Sequence, residues 1–119
     1  MVVKNSDLYK YEGIVESIYD GDTLTIMASV GFSTYIKIKA RLYGIDTAEL
    51  RTKDKKEKEL AYKARDYLRE LILNKKIRFI SHGKGKYGRY LCTIFLDGEN
   101  INKKLVEEKL AKEYFGGKR

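Results

Sequence analysis

Apolar and polar residues alternate through the first half of the chain. Tyr9–Ile18 is rich in β-formers, Asp20-Gly21-Asp22 is turn chemistry, and Thr23–Ile26 alternates polar with apolar. In the next run Ile36, Ile38, Ala40 and Leu42 share one face of a strand, and Lys37, Lys39 and Arg41 share the other. Ser29–Ser33 reads as the hairpin loop between these two strands. The period then changes. Leu60, Ala64, Leu68, Leu71 and Ile72 form one apolar stripe at helical spacing, with Asn74 as its end. Strand character returns at Ile77–His82. A Gly/Lys loop follows at Gly83–Arg89, and Tyr90–Leu96 is apolar on both faces, as a central strand is. Asp97-Gly98 is another turn, and Asn102–Lys112 reads as a second helix.

This order predicts an α+β, mainly β fold. Five short, largely antiparallel strands with a helix between the third and fourth is the pattern of a five-stranded OB-fold Greek-key barrel with two or three packed helices. No linker and no repeat divides the chain. One domain is expected over residues 1–119, with a core at about 9–115 and short flexible termini. The run Arg51–Glu59 holds five Lys/Arg and three Asp/Glu and reads as a charged loop, mostly solvated.

Composition narrows the chemistry. Lys and Arg number 25 against 17 Asp and Glu, a formal net charge of +8, which favours polyanionic partners. The single Cys92 excludes a disulfide framework and a cysteine-rich zinc site, and the single His82 excludes a paired-histidine metal site. Cys92 is expected to be a small core residue and His82 a strand-end residue. No apolar run approaches the ~20 residues that span a bilayer. The N-terminal stretch has no signal-like apolar core, so the expected compartment is the cytoplasm, or an exported one if a signal has been removed.

Three short segments hold residues that can carry chemistry: Asp20-Gly21-Asp22-Thr23, Arg41 through Glu49, and Lys86-Tyr87-Gly88-Arg89. Each also has a plain structural reading, as a turn, a cap or a hairpin tip. Taken together they supply what phosphodiester hydrolysis needs. Asp22 and Asp46 can hold a hard cation through oxygen, with a carbonyl such as that of Thr47 and waters completing the shell. Such a sparse set suits Ca²⁺ at least as well as Mg²⁺. Glu49 can take a proton from water. Arg41 and Arg89 each present a planar fork to phosphate oxygens.

The three segments, in this order and at these separations, resemble the staphylococcal nuclease (thermonuclease) family, whose signatures run D-G-D-T, R-L-x-x-I/V-D-T-P-E and K-Y-G-R. The resemblance runs from about Tyr11 to about Tyr114. It implies an OB-fold barrel and a Ca²⁺-dependent endonuclease that cleaves DNA and RNA with little base preference and leaves 3′-phosphate ends. It implies Asp22, Asp46 and the Thr47 carbonyl as calcium ligands, Glu49 as candidate general base, and Arg41 and Arg89 as phosphate-gripping arginines. It also implies that Lys86 and Tyr87 hold a nucleotide phosphate and that Tyr114 or Phe115 stacks on a base. Single-stranded or frayed substrate and a monomer are expected, with no protein partner and no membrane.

The chain departs from the family where Ala48 replaces the proline before Glu49, which leaves that loop freer. A last helix present in well-known members is expected to be missing. The alternative reading is a non-catalytic nucleic-acid-binding module on the same barrel. Against it, three acids beside basic residues would repel a phosphate ligand unless a cation lay between. A generic single-strand binder would instead spread aromatics such as Tyr11, Tyr35, Tyr43 and Tyr90 over a strand face.

Overall fold

The period-two segments fold into strands that close on themselves. The computed structural model describes residues 9–114. In chain order the elements are β1 (Lys10–Ile18), β2 (Thr23–Ser29), β3 (Tyr35–Leu42), β4 (Ile45–Thr47), α1 (Lys55–Ile72), β5 (Lys76–Lys84), β6 (Tyr90–Leu96), β7 (Glu99–Asn100), α2 (Ile101–Glu107) and β8 (Ala111–Glu113). The sheet runs β3-β2-β1-β5-β6, and β3 pairs again with β6, so five strands make a closed barrel. Every barrel pairing is antiparallel except the closing one, where Ala40–Leu42 lies parallel to Tyr90–Cys92. This is the mainly β, five-stranded OB-fold architecture that the order of elements predicts. β4 and β8 form a separate two-stranded ribbon beside the barrel.

The barrel interior holds Val15, Leu24, Ile26, Ala40, Leu42, Ile77, Phe79, Cys92 and Ile94. Burying each of the Val, Leu, Ile and Phe side chains among them contributes about 1.5–3 kcal/mol. Helix α1 adds Leu68 and Ile72, and α2 adds Ile101 and Leu105. Cys92 is fully buried, and burial pushes its thiol up to about 12, so it serves as a small apolar residue. Tyr11 stacks on Phe79 at 5.5 Å between ring centres, which is barrel packing.

Four details differ from the sequence pattern. First, α1 begins at Lys55, inside the charged run read as a loop. Asp54 caps it by accepting from the N–H groups of Lys56 and Glu57 at 2.9 and 3.3 Å. Second, the buried stripe of α1 is Ala61, Ala64, Leu68 and Ile72, while Leu60 is exposed. Ala64 packs against the Gly21 turn, where only a small side chain fits.

Third, the helix read over Asn102–Lys112 ends at Glu107, and residues 111–113 form a strand. Lys109 takes a left-handed conformation with φ 60°. The Lys109 N–H donates to the Val106 carbonyl at 3.0 Å and the Leu110 N–H to the Leu105 carbonyl at 2.9 Å. These two bonds make a Schellman stop with lysine where glycine is usual, so composition hides the break. Fourth, Gly21 is required by packing rather than by positive φ. A Cβ there would meet the Ala64 Cβ at 2.7 Å and the Thr47 side chain at 3.0 Å. The Asp20–Asp22 turn therefore sits directly under α1.

Two polar side chains lock the elements together. Arg69 of α1 donates twice to the Ile18 carbonyl, at 3.2 and 2.7 Å, and so fixes the helix to the strand that enters the acidic turn. Asn102 is buried. Its amide donates to the carbonyls of Tyr43 and Cys92, both at 2.9 Å, and its oxygen accepts from the Ile94 N–H at 3.1 Å. Replacing Asn102 with Ala would remove the donor to the Tyr43 carbonyl and the acceptor of the Ile94 N–H, and one of two donors to the Cys92 carbonyl, which also accepts from the Tyr43 N–H at 2.8 Å. Asn102→Ala is expected to lower stability by about 3 kcal/mol or more, read from the midpoint of urea unfolding.

Candidate active site

The turn after β1 is built around carboxylates. The Asp22 N–H donates to the Asp20 carboxylate at 3.0 Å, an Asx-type closure, and the Tyr19 N–H donates to the Thr23 carbonyl at 2.9 Å. The Asp22 carbonyl in turn accepts from the Leu42 N–H at 2.8 Å. The turn is thus tied to the end of β3. That end carries Arg41 on its outer face, because Ala40 and Leu42 occupy the inner one. A turn with Gly44 at φ 77° leads into β4, which carries Asp46 between the buried Ile45 and Thr47.

These pieces meet in one cleft of about 420 Å³. It is lined by Asp20, Asp22, Asp46 and Glu49, by Arg41, Arg51 and Arg89, and by Tyr19, Thr23, Thr47, Ala48 and Leu50. Arg41 Nη2 bridges the two central acids, donating to Asp46 Oδ1 at 3.2 Å and to Asp22 Oδ2 at 3.5 Å. The same Asp22 oxygen accepts from the buried Thr47 N–H at 3.2 Å. Thr23 links the halves of the cleft: its hydroxyl donates to Asp22 Oδ1 and accepts from Arg89 Nη1, each at 3.3 Å. Arg89 Nε is buried and has no hydrogen-bond partner. A buried guanidinium donor without an acceptor is costly.

The acids outnumber the arginines by four to three in this cleft, on a chain whose net charge is +8. The strain shows at Asp20. Burial first, and then the neighbouring Asp22 charge, raises its carboxyl to about 6. Among the described residues no three His, Cys, Asp or Glu side chains gather into a metal-holding group. A cation here would rest on two side-chain carboxylates, backbone oxygen and water. Oxygen donors with an acid excess fit a hard divalent ion of irregular coordination.

Of the residues singled out from the sequence, Asp22, Arg41, Asp46, Thr47, Glu49 and Arg89 all line the cleft, and Glu49 is exposed at its edge. Lys86 and Tyr87 do not line it. They form a single 3₁₀ turn between β5 and β6, with Tyr87 87% exposed and at φ 62°. Tyr87 still reaches the site indirectly, since Arg89 lies 5.7 Å from the centre of its ring. Tyr114 follows β8 and donates its N–H to the Gly44 carbonyl at 2.8 Å, beside the cleft rather than lining it. Phe115 lies outside the described residues. His82 stands on β5, stacked on Tyr43 at 4.0 Å and bonded to the Thr93 hydroxyl at 2.8 Å. Burial lowers its pKa.

Asp20, Thr23, Arg51 and Asn102 were not singled out by sequence reasoning. Asp20 and Thr23 flank Asp22 in one tetrapeptide, so proximity was their available signal. Arg51 stood inside a run of charges and Asn102 inside a helix, where nothing marked them.

Comparison with known proteins points the same way. A family model described as staphylococcal nuclease homologue matches residues 39–119. An uncharacterized endonuclease of Haemophilus influenzae is 33% identical over 100 residues, covering 84% of this chain and 51% of that protein. Endonuclease YhcR of Bacillus subtilis is 32% identical over 115 residues, covering 89% of this chain and 9% of that protein. A thermonuclease of Staphylococcus hyicus is 30% identical over 113 residues, covering 93% of this chain and 62% of that protein. The chain thus spans about half the length of the first of these relatives and a small part of the second. With the family match over residues 39–119 added to the barrel and its cleft, the chain belongs to the staphylococcal nuclease family.

Proposed function

We propose that this domain is a calcium-dependent endonuclease that hydrolyses phosphodiester bonds of DNA and RNA with little sequence preference and leaves 3′-phosphate ends. The observation that carries this reading is the cleft itself, where Asp22, Asp46 and Glu49 meet Arg41 and Arg89, with the Arg89 Nε buried and unpaired. A pure binding module has no use for an acid excess where a polyanion must sit. Asp22, Asp46 and the Thr47 carbonyl would hold Ca²⁺. When bound, the ion supplies positive charge against the phosphate oxygens.

Each side chain has a definite task in this scheme. Asp22 is oriented for its task by the Thr47 N–H and the Thr23 hydroxyl. Arg89 offers donors to the phosphate while Thr23 keeps its Nη1 end in place. Arg41 shifts between the two carboxylates it now bridges and the charge that grows on the phosphate. Glu49, exposed at the rim, takes the proton of the attacking water. Ala48 in place of the family proline leaves the approach to Glu49 less restrained. Lys86, Tyr87 and Tyr114 are assigned to the nucleotide beyond the reacting phosphate.

Purified protein is expected to degrade single-stranded DNA and RNA with added Ca²⁺, to stop with chelator, and to yield 3′-phosphate ends on analysis of the products. Binding without cleavage under every divalent ion would assign the domain to the binding class instead. Glu49→Gln is expected to lower kcat by ~100-fold or more while nucleic-acid affinity stays near that of the unaltered protein. Turnover equal to the unaltered protein would remove Glu49 from the mechanism. Arg89→Lys keeps the charge but loses the planar fork, and kcat/KM should fall ~100–1000-fold.

A further inference from the structure

The outer face of β3 continues past the cleft. Side chains alternate across a strand, so Lys39, Lys37 and Tyr35 follow Arg41 on the face opposite the buried Ala40 and Leu42. On the neighbouring strand Lys39 lies opposite Thr25, Lys37 opposite Met27 and Tyr35 opposite Ser29, so β2 sets no acid against them. β6 pairs with β3 only at Ala40–Leu42, which leaves residues 35–39 with an open side. Tyr35 is 60% exposed. Lys37 reaches Glu16 at 2.9 Å, but both side chains are well exposed, and such a pair is readily given up. Among the described residues Lys39 has no ion-pair partner.

We propose that this lane is a subsite for the stretch of a single-stranded polynucleotide that flanks the reacting phosphate. Lys39 and Lys37 take successive phosphates, and Tyr35 stacks on a base. The assignment deepens the nuclease reading and rests on it, since Arg41 joins the lane to the cleft. Side chains two apart on a strand stand about 6.7 Å from each other, a separation that neighbouring phosphates of one strand can meet. Tyr35 argues for a single strand, because a base must be free of its pair and its stack to lie on an exposed ring. The aromatic at the end of the lane argues for a polynucleotide over an acidic peptide, because every base offers a π-face to stack.

The test is fluorescence anisotropy of a labelled oligothymidylate of ~12 nucleotides and of a labelled dinucleotide, in chelator, from ~50 to ~200 mM salt. Lys37→Gln combined with Lys39→Gln is expected to weaken oligomer binding about tenfold at the low-salt end. It should also reduce the slope of log K against log salt by about 1.4, since each single-strand phosphate contact contributes ~0.7. Tyr35→Ala should weaken oligomer binding about tenfold without changing that slope. Neither variant should alter dinucleotide binding. An unchanged slope in the double variant, or equal affinity of the unaltered protein for the two probes, overturns the lane. Failure of the nuclease reading is seen separately, as oligomer binding with no cleavage under any divalent ion.

Discussion

Three rungs of parallel pairing, Ala40–Leu42 against Tyr90–Cys92, are the constraint on which the site depends. They close the barrel and set the outer end of β3 beside the start of β6. Arg41 and Arg89 come to one cleft because each is placed at that seam. The seam is reinforced from the far side by Asn102, which binds the Cys92 carbonyl and the carbonyl of Tyr43 just past β3. A polar residue buried in α2 therefore holds the frame of a site to which it contributes no surface.

The second layer of order is electrostatic. The Asp20–Asp22 turn is wedged under α1 at Gly21 and anchored by Arg69, so its carboxylates have little freedom to separate. Arg41 offsets part of their repulsion by bridging Asp22 and Asp46, while burial, and after it the Asp22 charge, raises the pKa of the Asp20 carboxyl. Thr23 makes the acids and Arg89 parts of one network. The cleft thus sets four acids beside three arginines.

Much of this was legible in the residues. Strict alternation in Ile36–Leu42 identified both the inner face and Arg41 on the outer one, and the doubly apolar Tyr90–Leu96 identified a central strand. Legibility failed where local chemistry was ambiguous. The stop at Lys109 uses a left-handed lysine, which carries no compositional mark. The buried stripe of α1 runs through Ala61 and Ala64 rather than Leu60, and at Ala64 the close approach of the Gly21 turn leaves room only for a small side chain. Gly21 looked like a turn glycine and is in fact a packing glycine.

The amino-acid sequence by itself determined the order of the five barrel strands and the helix between the third and fourth, the class of partner that a charge of +8 favours, and the three motifs that carry the likeness to a nuclease family. Those are properties of nearest neighbours and of composition, which a linear pattern records. Only the tertiary structure decided that Arg41 bridges Asp22 and Asp46, that Thr23 joins Asp22 to Arg89, and that Lys86 and Tyr87 stand on an exposed turn outside the cleft. The reason is physical. Hydrogen bonds and charge pairs act over a few ångströms between residues up to 66 positions apart, and chain closure alone brings such residues within that range.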